Sequence, residues 1–168
     1  MKKFFTSASG MDARGVGPRI MLITAPVLLF ALYAEIRKAN FAEIVPEPGN
    51  LTIALGWLWL TAGLIFFFTA MAQFILNFPK GKLITTGVYA FSRNPIYSSW
   101  VVFILPATGM LCNNWVFLAA ALVMGIATVL MVKEEETQLL KIFGKEYSRY
   151  KSNVGCLMGF SRKLANEA

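Results

Sequence analysis

Residues 96–136 read IYSSWVVFILPATGMLCNNWVFLAAALVMGIATVLMVKEEE. Two apolar runs, Ile96 to Cys112 and Trp115 to Val132, are separated only by Asn113 and Asn114. A membrane-spanning helix needs ~20 apolar residues, with a range of ~17–25. Both runs fall near that range, and a two-residue polar break between them predicts a tight hairpin whose helices end at one membrane face. Three consecutive acids, Glu134–Glu136, then follow at the far end of the second run.

Two further runs lie upstream. Ile20 to about Ala34 is short and recruits residues up to Arg37. Leu51 to about Leu76 is long; at ~1.5 Å per residue it covers ~39 Å, so it should tilt or protrude. The reading is therefore an all-α polytopic membrane protein. The expected spans are 20–36, 51–76, 96–112 and 115–132, within a single integral membrane domain over 1–168. Residues 1–19 form an N-terminal arm whose Gly10, Gly15 and Gly17 suggest flexibility, and the first run lacks a small-x-small cleavage site, so it reads as an uncleaved span.

Composition agrees. The chain of 168 residues is 57% apolar and only 15% charged, against about 25% charged in soluble domains. Mean hydropathy is +0.58. A water-soluble fold of this size would leave a large apolar patch exposed.

The net charge of +7 sits beside the apolar runs. Lys2, Lys3, Arg14 and Arg19 precede the first. Lys80, Lys82 and Arg93 lie between the second and third. Lys133, Lys141, Lys145, Arg149, Lys151, Arg162 and Lys163 follow the fourth. Between the first and second, Arg37 and Lys38 are offset by Glu35, Glu43 and Glu47. The positive-inside rule then places both termini in the cytosol, and an even number of spans fits. The protein is expected in the cytoplasmic membrane of a bacterium or the endoplasmic reticulum of a eukaryote. No basic stretch interleaved with aromatics suggests nucleic acid. With two cysteines and no histidine, a Cys/His metal site and a disulfide framework are both disfavoured.

Two segments outside the spans hold most of the polar chemistry. Residues 77–95 contain Pro79, Gly81 and Gly87, a loop by composition. It runs through Gly87 and Tyr89 to Arg93-Asn94-Pro95-Ile96-Tyr97. Pro95 suits the first turn of a helix, where a missing N–H costs nothing. A helix start beside Arg93 favours an anion. The second segment, 133–168, opens on Glu134–Glu136. In it Leu139, Phe143, Tyr147 and Tyr150 recur on one helical face, with Lys141, Lys145 and Arg149 opposite. This predicts an amphipathic helix continuing from the fourth span, lying on the membrane or folding back over the loop. Singly, Arg93, Tyr89 and Tyr97 read as interfacial anchors and the acids as a solvated turn. Together they differ: acids on an otherwise basic face call for a cationic ligand or arginine partners.

The order Gly87-x-Tyr89, Arg93-x-Pro95-x-Tyr97, Glu135-Glu136-x-x-Leu139 and Phe143-Gly144-x-Glu146-Tyr147-x-x-Tyr150 resembles the isoprenylcysteine carboxyl methyltransferase and phospholipid methyltransferase superfamily. The likeness covers about residues 80–153. It implies an integral membrane enzyme using S-adenosylmethionine, held at the cytosolic face. By position, Arg93, Asn94, Pro95 and Tyr97 would supply one half of the cofactor site and Glu135 and Glu136 the other. Gly87, Tyr89, Tyr147 and Tyr150 would shape or cover it, and Arg93, Asn94 and Glu135 would serve catalysis. The acceptor implied is a lipophilic small molecule, a lipid or a lipidated protein, entering sideways from the surrounding membrane lipids. The chain departs from the pattern at Asn94, where the family has histidine, and at Ser99, where it has glycine. The basic-x-x-proline end is replaced by Gly155-Cys156-Leu157-Met158-Gly159.

Methyl transfer from a sulfonium releases a neutral leaving group, so it needs alignment and a dry pocket rather than a general acid. Asparagine cannot exchange a proton near neutral pH. The expected acceptor is therefore already nucleophilic: a carboxylate, a thiolate or a free amine. Two other readings share some of these features. One is an NADPH-dependent membrane reductase, whose family has a similar Arg-x-Pro-x-Tyr segment. The other is a non-catalytic scaffold that keeps the fold.

Overall fold

A computed structural model describes residues 15–159. Lys2, Lys3, Arg14, Arg162 and Lys163, and most of the N-terminal arm read from the sequence, lie outside the described residues. Among those described, the only β pairing is a single bridge between Glu43 and Asn114. The architecture is helical: α1 (Gly17–Ile36), α2 (Asn50–Asn77), α3 (Pro95–Leu111) and α4 (Val116–Asn153). Three of these, α1, α2 and α4, are long and apolar enough to cross a membrane. Their outward side chains, among them Leu22, Leu29, Leu58 and Phe68, are largely exposed. Only a lipid solvent makes so much exposed apolar surface stable. The protein is a membrane protein.

In lipid, helices gain nothing by hiding leucine, so they associate through small residues that let backbones approach. α1 buries Thr24, Ala31 and Ala34, and α4 buries Ala120, Ala121, Ala127 and Thr128. α2 buries Gly56, Gly63 and Ala70, each seven residues after the last, one stripe on one face. A Cβ at Gly56 would come within 2.8 Å of Leu111, and one at Gly63 would strike Phe103. The packing order is α1–α4–α3–α2, with α1 and α2 at opposite ends of the row. Gly63→Leu is expected to force α2 off α3 and cost at least ~1–3 kcal/mol; a thermal melt in detergent checks it.

α3 contains a π-helical stretch, Ser99–Ile104. Pro106 has no N–H to give to the carbonyl of Val102, one turn earlier. An unsatisfied carbonyl is costly in lipid. The indole Nε1 of Trp59 on α2 donates to it at 2.9 Å.

Asn113 turns the α3–α4 hairpin in the left-handed region, φ 51°. Its side chain also accepts from Val45 N at 3.2 Å and donates to Val45 O at 2.6 Å. Asn114 Nδ2 donates to Ala31 O at 3.2 Å, and Trp115 Nε1 to Phe41 O at 2.9 Å. The two asparagines thus tie the hairpin tip to α1 and to the α1–α2 connection as well as making the turn. These bonds gather at one end of the molecule. The start of α1, residues 78–94 and residues 133–159 share the other end.

Candidate functional site

α4 continues well beyond its apolar part, and Gly144 divides it. Gly144 has φ 52° and ψ −121°, which end the first helix and turn the chain. Residues 145–153 fold back toward the loop, the second of the two placements the periodicity allowed. Tyr147, Tyr150 and Val154 are buried there against Leu83, Leu139 and Phe143. The apolar face read from the sequence is present, but it is assembled across a break. The Tyr150 hydroxyl donates to Tyr89 O at 2.6 Å and so pins the loop to the returning helix. Gly87 has φ 63°, and any Cβ there would fall on the side-chain amide of Gln73. Burial raises the phenol pKa values of Tyr89, Tyr147 and Tyr150 above their usual range. All three therefore remain neutral hydroxyls at physiological pH.

Adjacent acids on α4 have separate tasks, because neighbouring residues point ~100° apart around a helix. Glu136 is buried. Its Oε1 lies 2.9 Å from Arg93 Nη2, and its Oε2 lies 2.7 Å from Lys151 Nζ. Arg93 is equally hidden, with side-chain exposure of 10% against 9% for Glu136. The Arg93 contact is ionic rather than a well-aligned hydrogen bond, since Arg93 Nε and Glu136 Oε1 find no hydrogen-bond partner of good geometry. Glu135 turns the other way. It accepts a hydrogen bond from Val16 N at 2.7 Å. Burial pushes its carboxyl pKa upward, partly offset by that N–H. Arg19 and Glu134 form a further pair at 3.0 Å, exposed and of little energetic weight.

Arg93, Glu135, Arg19, Glu134 and the three tyrosines border one cavity of about 790 Å³, within the ~300–1,000 Å³ usual for small-molecule sites. Of the sequence-predicted residues, Tyr89, Arg93, Asn94, Pro95, Tyr97, Glu135, Tyr147 and Tyr150 line it. Gly87 and Glu136 do not. Gly87 shapes the loop from behind, and Glu136 braces Arg93. The sequence reading missed the walls given by Val16 and Arg19 of the α1 entrance and by Met71, Phe74 and Phe78 at the end of α2. The excess length of the second apolar run was the available signal for the last three. For Arg19 it was the pairing of a basic residue before α1 with acids after α4. No group of three or more metal-ligating side chains occurs among the described residues.

Asn94 begins α3 as its N-cap residue. Its side-chain nitrogen donates to Cys156 O at 2.9 Å. That leaves the amide oxygen as its remaining polar atom.

Comparison with known proteins gives the family. Human protein-S-isoprenylcysteine O-methyltransferase is 38% identical over 72 residues, which are 43% of this chain and 25% of the human protein. A probable protein-S-isoprenylcysteine O-methyltransferase of Oryza sativa subsp. indica is 37% identical over 73 residues, 44% of this chain and 38% of its own. Protein-S-isoprenylcysteine O-methyltransferase B of Arabidopsis thaliana is 34% identical over 73 residues, 44% of this chain and 37% of its own. The matched segments thus span well under half of these relatives. No solved structure matches the chain. The phospholipid methyltransferase family model matches residues 49–146, more than half of the chain, from the start of α2 to just past the break at Gly144. A chain that carries that match, with the matched loop and acidic helix meeting at one cavity, belongs to the phospholipid methyltransferase family.

Proposed function

We propose that the protein transfers a methyl group from S-adenosylmethionine to the carboxylate of a lipophilic acceptor, such as a prenylated cysteine, at the cytosolic face of the membrane. The observation that carries the reading is the cavity itself, which places the anionic Glu135 and the cationic Arg93 in walls that are otherwise mostly apolar and aromatic. S-adenosylmethionine has an ammonium, a carboxylate, a sulfonium and an aromatic base, and the residues present fit that set. Bound there, it supplies a methyl group already activated by positive sulfur.

Glu135 would hold the ammonium, because a half-dry carboxylate is a strong partner for a cation. Arg93 would face the carboxylate, held in place by Glu136. Tyr147, Tyr150 and Tyr89 would cover the site and exclude water, which lowers the barrier by keeping the pocket apolar. Met71 and Phe74 of α2, with Phe78 just beyond it, would receive the apolar part of the acceptor from the bilayer. The cavity wall contains no histidine, and its tyrosines stay protonated. An acceptor that arrives as a carboxylate needs no base, whereas a lipid ammonium would need one. The relatives are all named O-methyltransferases, which favours the same acceptor. The rate with a carboxylate acceptor is therefore expected to be nearly flat from about pH 7 to pH 9. An amine acceptor would gain about tenfold per unit until its own pKa, near 10 for an alkylamine; a pH–rate profile separates the two.

Ligand affinity carries a second pH signature. The carboxyl of Glu135 is raised by burial, so it loses its charge at a higher pH than an ordinary glutamate as acid is added. Binding of S-adenosylmethionine is expected to weaken as pH falls through that raised value and to be constant above it until the ligand's own α-ammonium begins to deprotonate, at about pH 8. Calorimetric titrations between pH 5 and pH 8 measure this.

The topology that goes with this function has four crossings. α3 is the shortest, at the lower limit of ~17 residues for a span, and it joins the same two ends of the molecule as its neighbours. The cavity end carries Arg19, Lys80, Lys82, Arg93, Lys133, Lys141, Lys145, Arg149 and Lys151. By the positive-inside rule it faces the cytosol with both termini, and the chain forms one integral membrane domain.

A further inference from the structure

Two departures from the family pattern meet in space. Asn94 stands in place of histidine, and 155–159 stands in place of the basic-x-x-proline end. Asn94 Nδ2 donates to Cys156 O at 2.9 Å and lies 3.5 Å from Cys156 Sγ. Ser92 Oγ reaches the same carbonyl at 3.3 Å. Arg93 N donates to Gly155 O at 3.0 Å. Three consecutive residues of the loop motif are therefore held by two consecutive carbonyls of the tail. The tail closes on itself through Gly155 N to Gly159 O at 2.8 Å. Its Leu157 reaches back to α4, 3.9 Å from where a Cβ on Gly125 would sit.

The contacts converge on Arg93. Its backbone is held by Gly155. Its guanidinium is held by Glu136 and approaches Lys151 O at 3.5 Å, while Lys151 holds Glu136 in turn. A neutral imidazole has a single N–H, whereas an asparagine amide has two donor hydrogens. We propose that Asn94 is a positioning residue: with Cys156 it forms a clasp that fixes the tail 155–159 against the loop and so holds Arg93 in the cavity wall. On this account the departure at Asn94 and the departure in the tail are one structural unit, in which an anchor replaces a proton-exchanging side chain. The consequence for ligand binding rests on the function proposed above; the clasp itself does not.

The test uses the full chain in detergent with Cys112 replaced by serine, so that Cys156 is the single thiol. Two quantities are read: the rate of maleimide labelling of Cys156, and the affinity for S-adenosylmethionine by calorimetry. Asn94→Asp keeps the size, removes the donor and adds a charge; because that charge makes the Cys156 thiol less acidic, labelling rates are compared per thiolate from a pH series. It should speed labelling and weaken affinity, each by about tenfold, the size of one lost hydrogen bond to a buried group. Gly155→Ala does not touch the cavity, but its Cβ would strike the Gly159 carbonyl. It should produce both changes in the same direction. Leu157→Ala is a milder route to the same loosening, with shifts of about threefold expected for a partly buried side chain, and it serves if Gly155→Ala does not fold. Unchanged labelling in Asn94→Asp would overturn the clasp. So would a loss of affinity confined to Asn94→Asp, with both tail variants binding as the parent does, because Asn94 would then act by direct contact. If the parent protein binds no S-adenosylmethionine, the proposed function fails, and labelling alone decides the clasp.

Discussion

Glu136→Ala is expected to be the most damaging single substitution outside the apolar core. The side chain neutralises Arg93 and Lys151 at once, and Arg93 is nearly as buried as Glu136 itself. Removing one partner of a buried ion pair leaves the other charge without compensation, at a cost of ~3–5 kcal/mol. For a chain of this size, that lowers the melting temperature by on the order of 10 °C. Thermal unfolding in detergent, followed by tryptophan fluorescence, checks it. A change of a degree or two would mean that Arg93 finds water or another partner and that the triad does not hold the loop. Glu136→Gln is expected to be nearly as harmful, because it keeps the shape and loses the charge.

Glu135→Gln should behave in the opposite way, although it is the next residue. The glutamine oxygen can still accept from Val16 N, so the melting temperature should move little. The charge that would meet a ligand ammonium is lost. A hydrogen bond to a charged group is worth ~1.5–3 kcal/mol, so affinity for S-adenosylmethionine should fall by ~10–100-fold. Calorimetry on the parent and the variant measures it. Equal affinity in the two proteins would remove Glu135 from the site. The pair of variants thus separates a residue that holds the fold from one that holds the ligand.

The contrast also marks what the sequence could and could not convey. The helices were legible because lipid imposes a length and a composition on each. Expected bounds such as 51–76 and 96–112 lie within a residue of α2 and α3. The hairpin at Asn113 and Asn114 was legible because nothing else separates two apolar runs. The tyrosines, Arg93, Asn94 and Glu135 of the cavity wall were legible as an ordered set of short motifs. The division between Glu135 and Glu136 was not, because it depends on which way one helix is rotated against its neighbours. Gly144 was read within a continuous amphipathic pattern, since spacings of four, four and three survive a break that redirects the chain. The contributions of Val16 and Phe74 were hidden for a related reason: the order α1–α4–α3–α2 brings together ends that are far apart in sequence. Pro106 announces that the Val102 carbonyl loses its usual donor, yet its satisfaction by Trp59 needs the packing of α2 to be known.

We propose that methyl transfer to a carboxylate takes place in this cavity. The direct measurement is transfer of labelled methyl from S-adenosylmethionine by the purified full chain in lipid nanodiscs, with a farnesylated cysteine as acceptor. The predicted result is label in the acceptor that is released as methanol by mild base, as a methyl ester requires, and that is strongly reduced in Glu135→Gln. Label that resists base would place the methyl on nitrogen or sulfur, and either that result or no transfer at all would contradict methyl transfer to a carboxylate.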